Sequence, residues 1–210
     1  MRDSADQVPQ SSGDKRHPKQ DQRAKALSEN ALRDHATRDS RKDSLGSVID
    51  GVAAIGPPIH VDHRGALVEI FPDPRFWEVP IVHAYQTSIR TGTFKGWFAH
   101  EKKVDRYHIV CGELMVFLFD DRLESSTRGR GQKLVLSQAS QRQVIIPPMV
   151  WHLSLNIGNE DAILINLPSE KYNPDRPDRF HLPIDSDDIP IDVRSFFPSA
   201  AKQPAELKDL

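Results

Sequence analysis

Residues Gly92–Gly112 read GTFKGWFAHEKKVDRYHIVCG and carry the strongest indication of the fold. In this stretch four residues separate His100 from Asp105, and six residues separate Asp105 from the closing glycine, Gly112. Further along the chain, residues 147–156 read PPMVWHLSLN and include His152. A histidine can act as a base near neutral pH or bind a metal ion, so His100 is the first candidate for chemistry.

Both stretches resemble the two sequence motifs of the cupin superfamily. The first motif is a glycine, His-x-His, three or four residues, a Glu, six residues and a second glycine. Here Phe98 replaces its first His, Asp105 replaces its Glu, and Met149 replaces the glycine of the second motif, Pro-x-Gly-x-x-His-x-x-x-Asn. The resemblance implies an all-β fold, a cupin jelly-roll barrel. It also implies that two histidines and one carboxylate converge inside the barrel as a divalent metal site would require, namely His100, Asp105 and His152.

Short apolar segments separated by Gly and Pro independently predict β structure from about residue 48. Leu114–Phe119 is apolar on both faces and is therefore predicted to lie at the centre of two packed sheets. Asp120–Gly131 is predicted to be an exposed hairpin connection. Residues 168–178 are too rich in proline for a central strand and are predicted to wrap over the barrel. The predicted strands are Leu67–Phe71, Ile81–Ser88, Arg106–Val110, Leu114–Phe119, Lys133–Ser137, Gln143–Ile146, His152–Asn156 and Ala162–Leu167.

Composition bounds the class of protein. The 210 residues, 38% of them hydrophobic, are enough for one well-buried domain with extensions. The 28 basic and 30 acidic residues give a net charge of -2, so no overall field favours nucleic acid or an anionic membrane. The single cysteine excludes an internal disulfide, and no apolar run reaches the roughly 18 residues of a membrane span. A cytoplasmic location is predicted.

The chain is predicted to divide into three parts. Residues 1–46 are rich in charge and contain no Phe, Trp or Tyr, which predicts a disordered polar tail. Residues 47–198 form the predicted jelly-roll domain. Residues 199–210 are predicted to be a short C-terminal tail.

A second resemblance is carried by VDHRGALVEIF at residues 61–71, by KGW at 95–97, by IPP at 146–148 and by YNP at 172–174. Together these segments resemble the dTDP-4-dehydrorhamnose 3,5-epimerase family and its relatives, including the dTDP-sugar 3,4-ketoisomerases. The pattern is more similar to divergent relatives with Gly-Trp-His-x-His than to typical epimerases. The resemblance implies a homodimer that binds a dTDP-4-keto-6-deoxy sugar, an intermediate of nucleotide-sugar biosynthesis, in the barrel.

The resemblance also implies roles for individual residues. Arg64 and Lys95 stand where the family binds nucleotide phosphate, and a cation at either position suits that task. Glu69 belongs to the same motif as Arg64, and both Glu69 and Asn166 are predicted to bind the substrate. Tyr172 matches a tyrosine near the family's sugar site, although packing of a loop would explain it equally well. Trp97 would stack on the base or sugar or would belong to the core.

Two positions depart from the family pattern. The typical epimerase removes a proton beside a ketone with a histidine and returns it with a tyrosine, and here Phe98 and Asn166 occupy those positions. Neither side chain can transfer a proton at neutral pH. Three functions remain open. The first is an epimerase or isomerase with His100 as a relocated base and no required cofactor, and the second is a metal-dependent cupin enzyme that uses His100, Asp105 and His152. The third is a sugar-nucleotide-binding cupin without catalysis.

Overall fold

The structure is a computed structural model that describes residues 48–72 and 74–197. Its regular structure consists of β-strands and two short 3-10 helices, Pro74–Trp77 and Arg194–Phe196. The predicted tails at 1–46 and 199–210 lie outside the described residues, as do both end residues of the predicted domain. No helix in the described part is long and apolar enough to cross a membrane. The strands are β1 Ala53–Ile55, β2 Ile59–Asp62, β3 Gly65–Val68, β4 Tyr85–Ile89, β5 Phe94–His100, β6 Asp105–Cys111, β7 Glu113–Asp120, β8 Gly131–Ser137, β9 Gln143–Ile146, β10 Val150–Asn156, β11 Ala162–Asn166 and β12 Arg179–His181.

The strands form two five-stranded sheets and one separate hairpin. The first sheet has the order β1-β9-β6-β11-β4, the second has the order β12-β5-β10-β7-β8, and β2 pairs with β3 alone. Every pairing is antiparallel. Two antiparallel sheets that share one core are the arrangement of a jelly roll.

Strand β7 explains how the chain buries a segment that is apolar on both faces. Leu114, Val116 and Leu118 belong to the core cluster that the strands of both sheets share. Phe117 and Phe119 belong to a second buried cluster, which includes Ile189 and Val193 from the C-terminal part of the domain. The predicted packing of two sheets is found on the inner face, and residues near the C-terminus cover the outer face.

The strand predictions agree with the structure where an apolar run is uninterrupted. Gln143–Ile146 matches β9, and the predicted strands in β6, β7, β8, β10 and β11 differ from the observed ones only at their ends. The predicted strand Leu67–Phe71 ends early because Phe71 turns the chain with a φ of 53°. The predicted strand at 81–88 begins only at Tyr85. β1, β2, β5 and β12 were missed because they are short or are interrupted by glycine or charge.

The glycine that closes the first motif has a structural task. Gly112 adopts a φ of 78°, and a Cβ at this position would lie 2.7 Å from the Cα of Ala162. Only glycine combines this backbone conformation with so close an approach. The glycine position of the second motif also keeps its conformation, because Met149 has a φ of 61°.

Candidate active site

A cavity of about 1030 Å³ opens between the two sheets. Its walls are side chains from β4, β5, β6, β10 and β11, together with residues from the 170–181 segment. The proline-rich stretch that was predicted to wrap over the barrel contributes Glu170, Lys171, Tyr172 and Asp178 to this lining. A cavity of this size accommodates a small organic ligand.

Three buried side chains meet at the cavity wall. His100 ends β5, Asp105 begins β6 and His152 lies on β10. The Oδ2 atom of Asp105 lies 3.4 Å from Nε2 of His100 and 3.5 Å from Nε2 of His152. The Nζ atom of Lys103 lies 3.0 Å from the other carboxylate oxygen, Oδ1. These residues form one charged cluster, which we call the His-Asp-His cluster with its lysine.

Hydrogen bonds to the backbone fix the protonation of both imidazoles. Nδ1 of His100 lies 2.9 Å from the carbonyl oxygen of Asp178, and Nδ1 of His152 lies 3.1 Å from that of Val150. A carbonyl oxygen only accepts, so each Nδ1 carries the hydrogen and donates it. In the neutral ring the lone pair is then on Nε2, which faces the carboxylate of Asp105.

Burial and charge together keep these rings neutral. Burial lowers the pKa of His100 to about 4, Lys103 and His152 oppose its protonation, and Asp105 offsets only part of this effect. Burial also lowers the pKa of His152. Burial by itself would raise the pKa of Asp105, but the charges of the neighbouring groups and a hydrogen bond from Asn166 outweigh it, so that pKa lies below its usual value. Near pH 7 the cluster therefore holds a carboxylate, an ammonium group and two neutral imidazoles.

Asn166 connects the cluster to a tyrosine. This fully buried amide lies on β11 and donates from Nδ2 to Oδ1 of Asp105 over 2.7 Å and to the hydroxyl oxygen of Tyr85 over 2.8 Å. Its own oxygen accepts the backbone N–H of Arg106 at 2.9 Å. Every hydrogen-bonding group of the amide is engaged, so Asn166 is held in one orientation.

The structure brings some predicted site residues to the cavity and not others. His100, Lys95, His152 and Tyr172 line it. Asp105 and Asn166 do not, and they lie in the wall behind it with 1% and 0% exposure. The structure therefore places Asn166 behind the cavity wall, which does not agree with the predicted direct contact with substrate.

Trp97 is the clearest correction. Its side chain is 0% exposed and belongs to the second buried cluster, together with Phe117 and Leu153. Successive residues of a strand point to opposite faces, and Phe98 and His100 point into the cavity, so Trp97 points away from it. The core interpretation of Trp97 is correct, and the position parity of the strand could have identified it.

Arg64 and Glu69 lie away from the cavity of their own chain. Arg64 is at the turn of the β2–β3 hairpin, where its exposed guanidinium pairs with Asp62. Glu69 is exposed just beyond the end of β3. Among the described residues of the same chain, neither lines the cavity.

Sequence reasoning missed several cavity residues. Lys103 and Tyr85 carried no family signal, although Lys103 stands only two residues before Asp105. Arg179 lies on the edge strand β12, with its guanidinium carbon 4.6 Å from the centroid of the Phe98 ring. His83 and His181 also line the cavity. These residues come from segments without a periodic pattern. They reach the cavity because the fold places their segments beside β5 and β11.

The sequence and the fold were compared with known proteins. The family model described as dTDP-4-dehydrorhamnose 3,5-epimerase matches residues 47–208. The chain is 35% identical over 131 residues to the probable low-salt glycan biosynthesis epimerase Agl13 of Haloferax volcanii, which covers 60% of this chain and 83% of that protein.

Two solved structures show the same fold. The 3'-monoepimerase ChmJ of Streptomyces bikiniensis, solved with dTDP-quinovose, has a TM-score of 0.65 and 22% identity over 77% of this chain and 82% of that one. The dTDP-6-deoxy-D-glucose-3,5-epimerase RmlC of Legionella pneumophila, solved with dTDP-4-keto-L-rhamnose, has a TM-score of 0.58 and 23% identity over 65% of this chain and 74% of that one.

The chain belongs to the dTDP-4-dehydrorhamnose 3,5-epimerase family of nucleotide-sugar enzymes. The predicted family and the all-β cupin jelly roll are thereby confirmed. Epimerisation beside a ketone is proton transfer, which side chains perform without a cofactor. This agrees with the prediction that none is required.

Proposed function

We propose that this protein is an epimerase or isomerase of a dTDP-4-keto-6-deoxy sugar in which His100 removes the proton beside the ketone. The observation that carries the proposal is the neutral imidazole at the cavity wall, whose Nδ1 hydrogen is held by the Asp178 carbonyl while Nε2 keeps its lone pair. A general base needs such a lone pair within reach of the substrate. Asp105, 3.4 Å from Nε2, stabilises the imidazolium that forms.

The lining of the cavity supports a nucleotide-sugar ligand. Lys95, Lys171 and Arg179 contribute cationic side chains, which bind phosphate oxygens through charge-assisted hydrogen bonds. Phe98 and Tyr172 contribute flat apolar surface next to these charges. A diphosphate joined to a base and a sugar needs both kinds of contact.

Proton removal depends on which residue of β5 supplies the base. Phe98 stands where the typical epimerase has its base, and His100 is two residues further along the same face, a distance of roughly 6–7 Å. A base must lie about 3 Å from the proton that it removes. We therefore expect slower proton exchange at the two carbons beside the ketone than in a typical epimerase.

The same proposal includes a homodimer in the cytoplasm. Within residues 48–72 and 74–197 the β2–β3 hairpin pairs with no other strand, and it exposes Val61 and Leu67 by 75% and 59%. A lone hairpin with exposed apolar side chains needs a surface to pack on. If a second copy supplies that surface, Arg64 and Glu69 reach the ligand of the second copy, which accounts for their distance from the cavity of their own chain.

Deuterium uptake by dTDP-4-keto-6-deoxyglucose in heavy water, followed at each carbon by NMR, tests the proposal. Wild type should take up deuterium slowly at one or both carbons beside the ketone, His100→Ala should take up none, and Phe98→His should raise the rate of uptake. Rapid uptake at both usual carbons that His100→Ala leaves unchanged would refute the proposal. Binding of dTDP without any uptake would favour a protein that binds the sugar nucleotide without catalysis.

A specific observation favours a second candidate, a metal-dependent cupin enzyme. The ligand atoms of His100, Asp105 and His152 all lie within 4.8 Å of one another. A tetrahedral ion with bonds of about 2.1 Å separates its ligands by about 3.4 Å, close to the two distances to Oδ2 of Asp105. In the described part of the chain Nε2 of His152 is buried without a hydrogen-bond partner, as a metal ligand would be.

The ammonium group of Lys103 is the argument against this second candidate, because it already balances the charge of Asp105. Metal analysis of protein purified without chelator, together with calorimetric titration of Zn²⁺ and Mn²⁺, separates the two candidates. A stoichiometric ion that is lost in His152→Ala would establish the metal enzyme. Wild-type deuterium uptake by metal-free protein would exclude it.

A further inference from the structure

The position that carries the proton-returning tyrosine in typical epimerases holds Asn166 here, yet a tyrosine lies directly opposite it. In the antiparallel ladder between β11 and β4, the partner of Asn166 is Tyr85. The hydroxyl oxygen of Tyr85 lies 2.8 Å from Nδ2 of Asn166. A phenol is therefore present beside position 166, on the neighbouring strand.

The hydrogen bond leaves the phenol able to donate. Because Nδ2 of Asn166 can only donate, the oxygen of Tyr85 is the acceptor, and its own hydrogen takes no part in this bond. Among the residues that the structure describes, no acceptor for that hydrogen is present. Tyr85 lines the cavity and is 38% exposed, so this side chain borders the ligand space. The N–H from Asn166 would stabilise the phenolate that remains after proton donation.

Tyr85 and His100 line the same cavity from different sheets. Tyr85 lies on β4 in the first sheet, and His100 lies on β5 in the second sheet. Inversion at a carbon requires that the proton leave from one side and arrive from the other. A base and an acid on two different strands supply separate groups for these two steps.

Tyr107 is the rival phenol, because it also lines the cavity and pairs with Asn166 on the other side, from β6. It is only 9% exposed, and burial raises its pKa well above the ordinary value. A phenolate at that position is disfavoured by the buried surroundings and by the nearby charge of Asp105. Tyr85 is the more exposed of the two phenols.

We infer that Tyr85 is the proton donor of this site and replaces, from the adjacent strand, the tyrosine that position 166 lacks. The inference rests on the proposed function. Nε2 of His100 takes the proton, the C–H bond breaks, and its electron pair forms an enolate with the charge on the ketone oxygen. The O–H of Tyr85 then gives its proton to the same carbon from the other side, forming the new C–H bond. The imidazolium loses its proton to solvent and the phenolate regains one, so both groups return to their starting state.

The experiment separates proton removal from inversion. With dTDP-4-keto-6-deoxyglucose in heavy water, NMR measures deuterium uptake and the amount of inverted product in the same sample. Tyr85→Phe should keep uptake within a few-fold of wild type, because His100 can return a deuteron to the side from which it took the proton. Inversion should fall by about 100-fold or more, the typical contribution of a positioned acid. His100→Ala should lose both readouts.

The variant Tyr107→Phe and one double variant test the position of the donor. Tyr107→Phe should keep the wild-type ratio of inversion to uptake. Asn166→Tyr introduced into Tyr85→Phe should restore part of the inversion, because the two positions face each other across the ladder. Thermal melting of each variant reports folding, and a purely structural role for Tyr85 would lower uptake and inversion together.

Each other result counts against the inference. An unchanged ratio of inversion to uptake in Tyr85→Phe refutes the inference and leaves the role of His100 intact. Loss of inversion in Tyr107→Phe but not in Tyr85→Phe has the same consequence. Uptake without inversion in wild type also refutes it. A wild type that takes up no deuterium refutes the proposed function and this inference together.

Discussion

Replacing Asp105 by alanine should be the most damaging single change in the cluster. The carboxylate is 1% exposed, accepts a hydrogen bond from Asn166 at 2.7 Å and pairs with Lys103 at 3.0 Å. Asp105→Ala leaves the ammonium group, whose side chain is 14% exposed, without its counter-ion. Removing one partner of a buried ion pair costs about 3–5 kcal/mol of unfolding free energy. We expect Asp105→Ala to fall in that range.

Urea unfolding near neutral pH measures this loss, and Asp121→Ala is the matched control. Asp121 pairs with Arg128 at 3.3 Å, but both side chains are about half exposed. An exposed pair contributes about 0–1 kcal/mol. Adding Lys103→Met to Asp105→Ala removes the stranded charge and should recover part of the loss. Equal costs for the two alanine variants, or a double variant no more stable than Asp105→Ala, would refute the view that the pair is a buried charge cluster.

The pH dependence of the same difference has a definite sign. The pKa of Asp105 is lowered in the folded protein, so its contribution to stability is fully present above the unfolded-state value of about 3.9. It is lost as the pH falls through the folded-state pKa. The stability difference between wild type and Asp105→Ala should therefore be constant at neutral pH and shrink below about pH 4. A difference that grows on acidification would contradict this assignment.

Three further predictions concern the ligand, the base and the fold. Lys95→Ala and Arg64→Ala should each weaken dTDP binding by about 1.5–3 kcal/mol in calorimetry, with the Arg64 effect confined to the dimer; unchanged affinity in both would remove the support for a nucleotide ligand. With the pKa of His100 lowered to about 4, the acid limb of kcat/KM should lie near pH 4, and a limb near the ordinary 6.5 would contradict a buried neutral base. Gly112→Ala should cost about 2–5 kcal/mol, because a left-handed φ is combined with a backbone clash. Gly129→Ala, which has a φ of 80° and open space around its Cβ, should cost only about 1–2 kcal/mol in the same melts.

Several residues of the site could be predicted from the sequence. The spacing of His100, Asp105 and His152 resembles that of the two cupin motifs, and this resemblance was enough to predict that the three side chains converge. Alternation along β5 also separates Phe98 and His100 from Trp97, since a strand exposes successive side chains to opposite faces. Gly112 was recognisable from its motif, and its φ and its contact with β11 supply the reason.

The partners of these residues were not predictable in the same way. Tyr85 and Asn166 are 81 residues apart in sequence and meet because β4 pairs with β11 in one register. The outer face of β7 is covered by residues near the C-terminus that have no matching sequence pattern. Local spacing in the sequence was enough to predict which face of a strand a residue occupies and which family the chain resembles, because both depend on residues close together in the chain. The neighbours of each strand became known from the tertiary structure, because strand pairing joins distant segments through contacts that no local pattern encodes. This pairing places the phenol of Tyr85 beside the amide of Asn166. It also places the hairpin that carries Arg64 away from the cavity of its own chain.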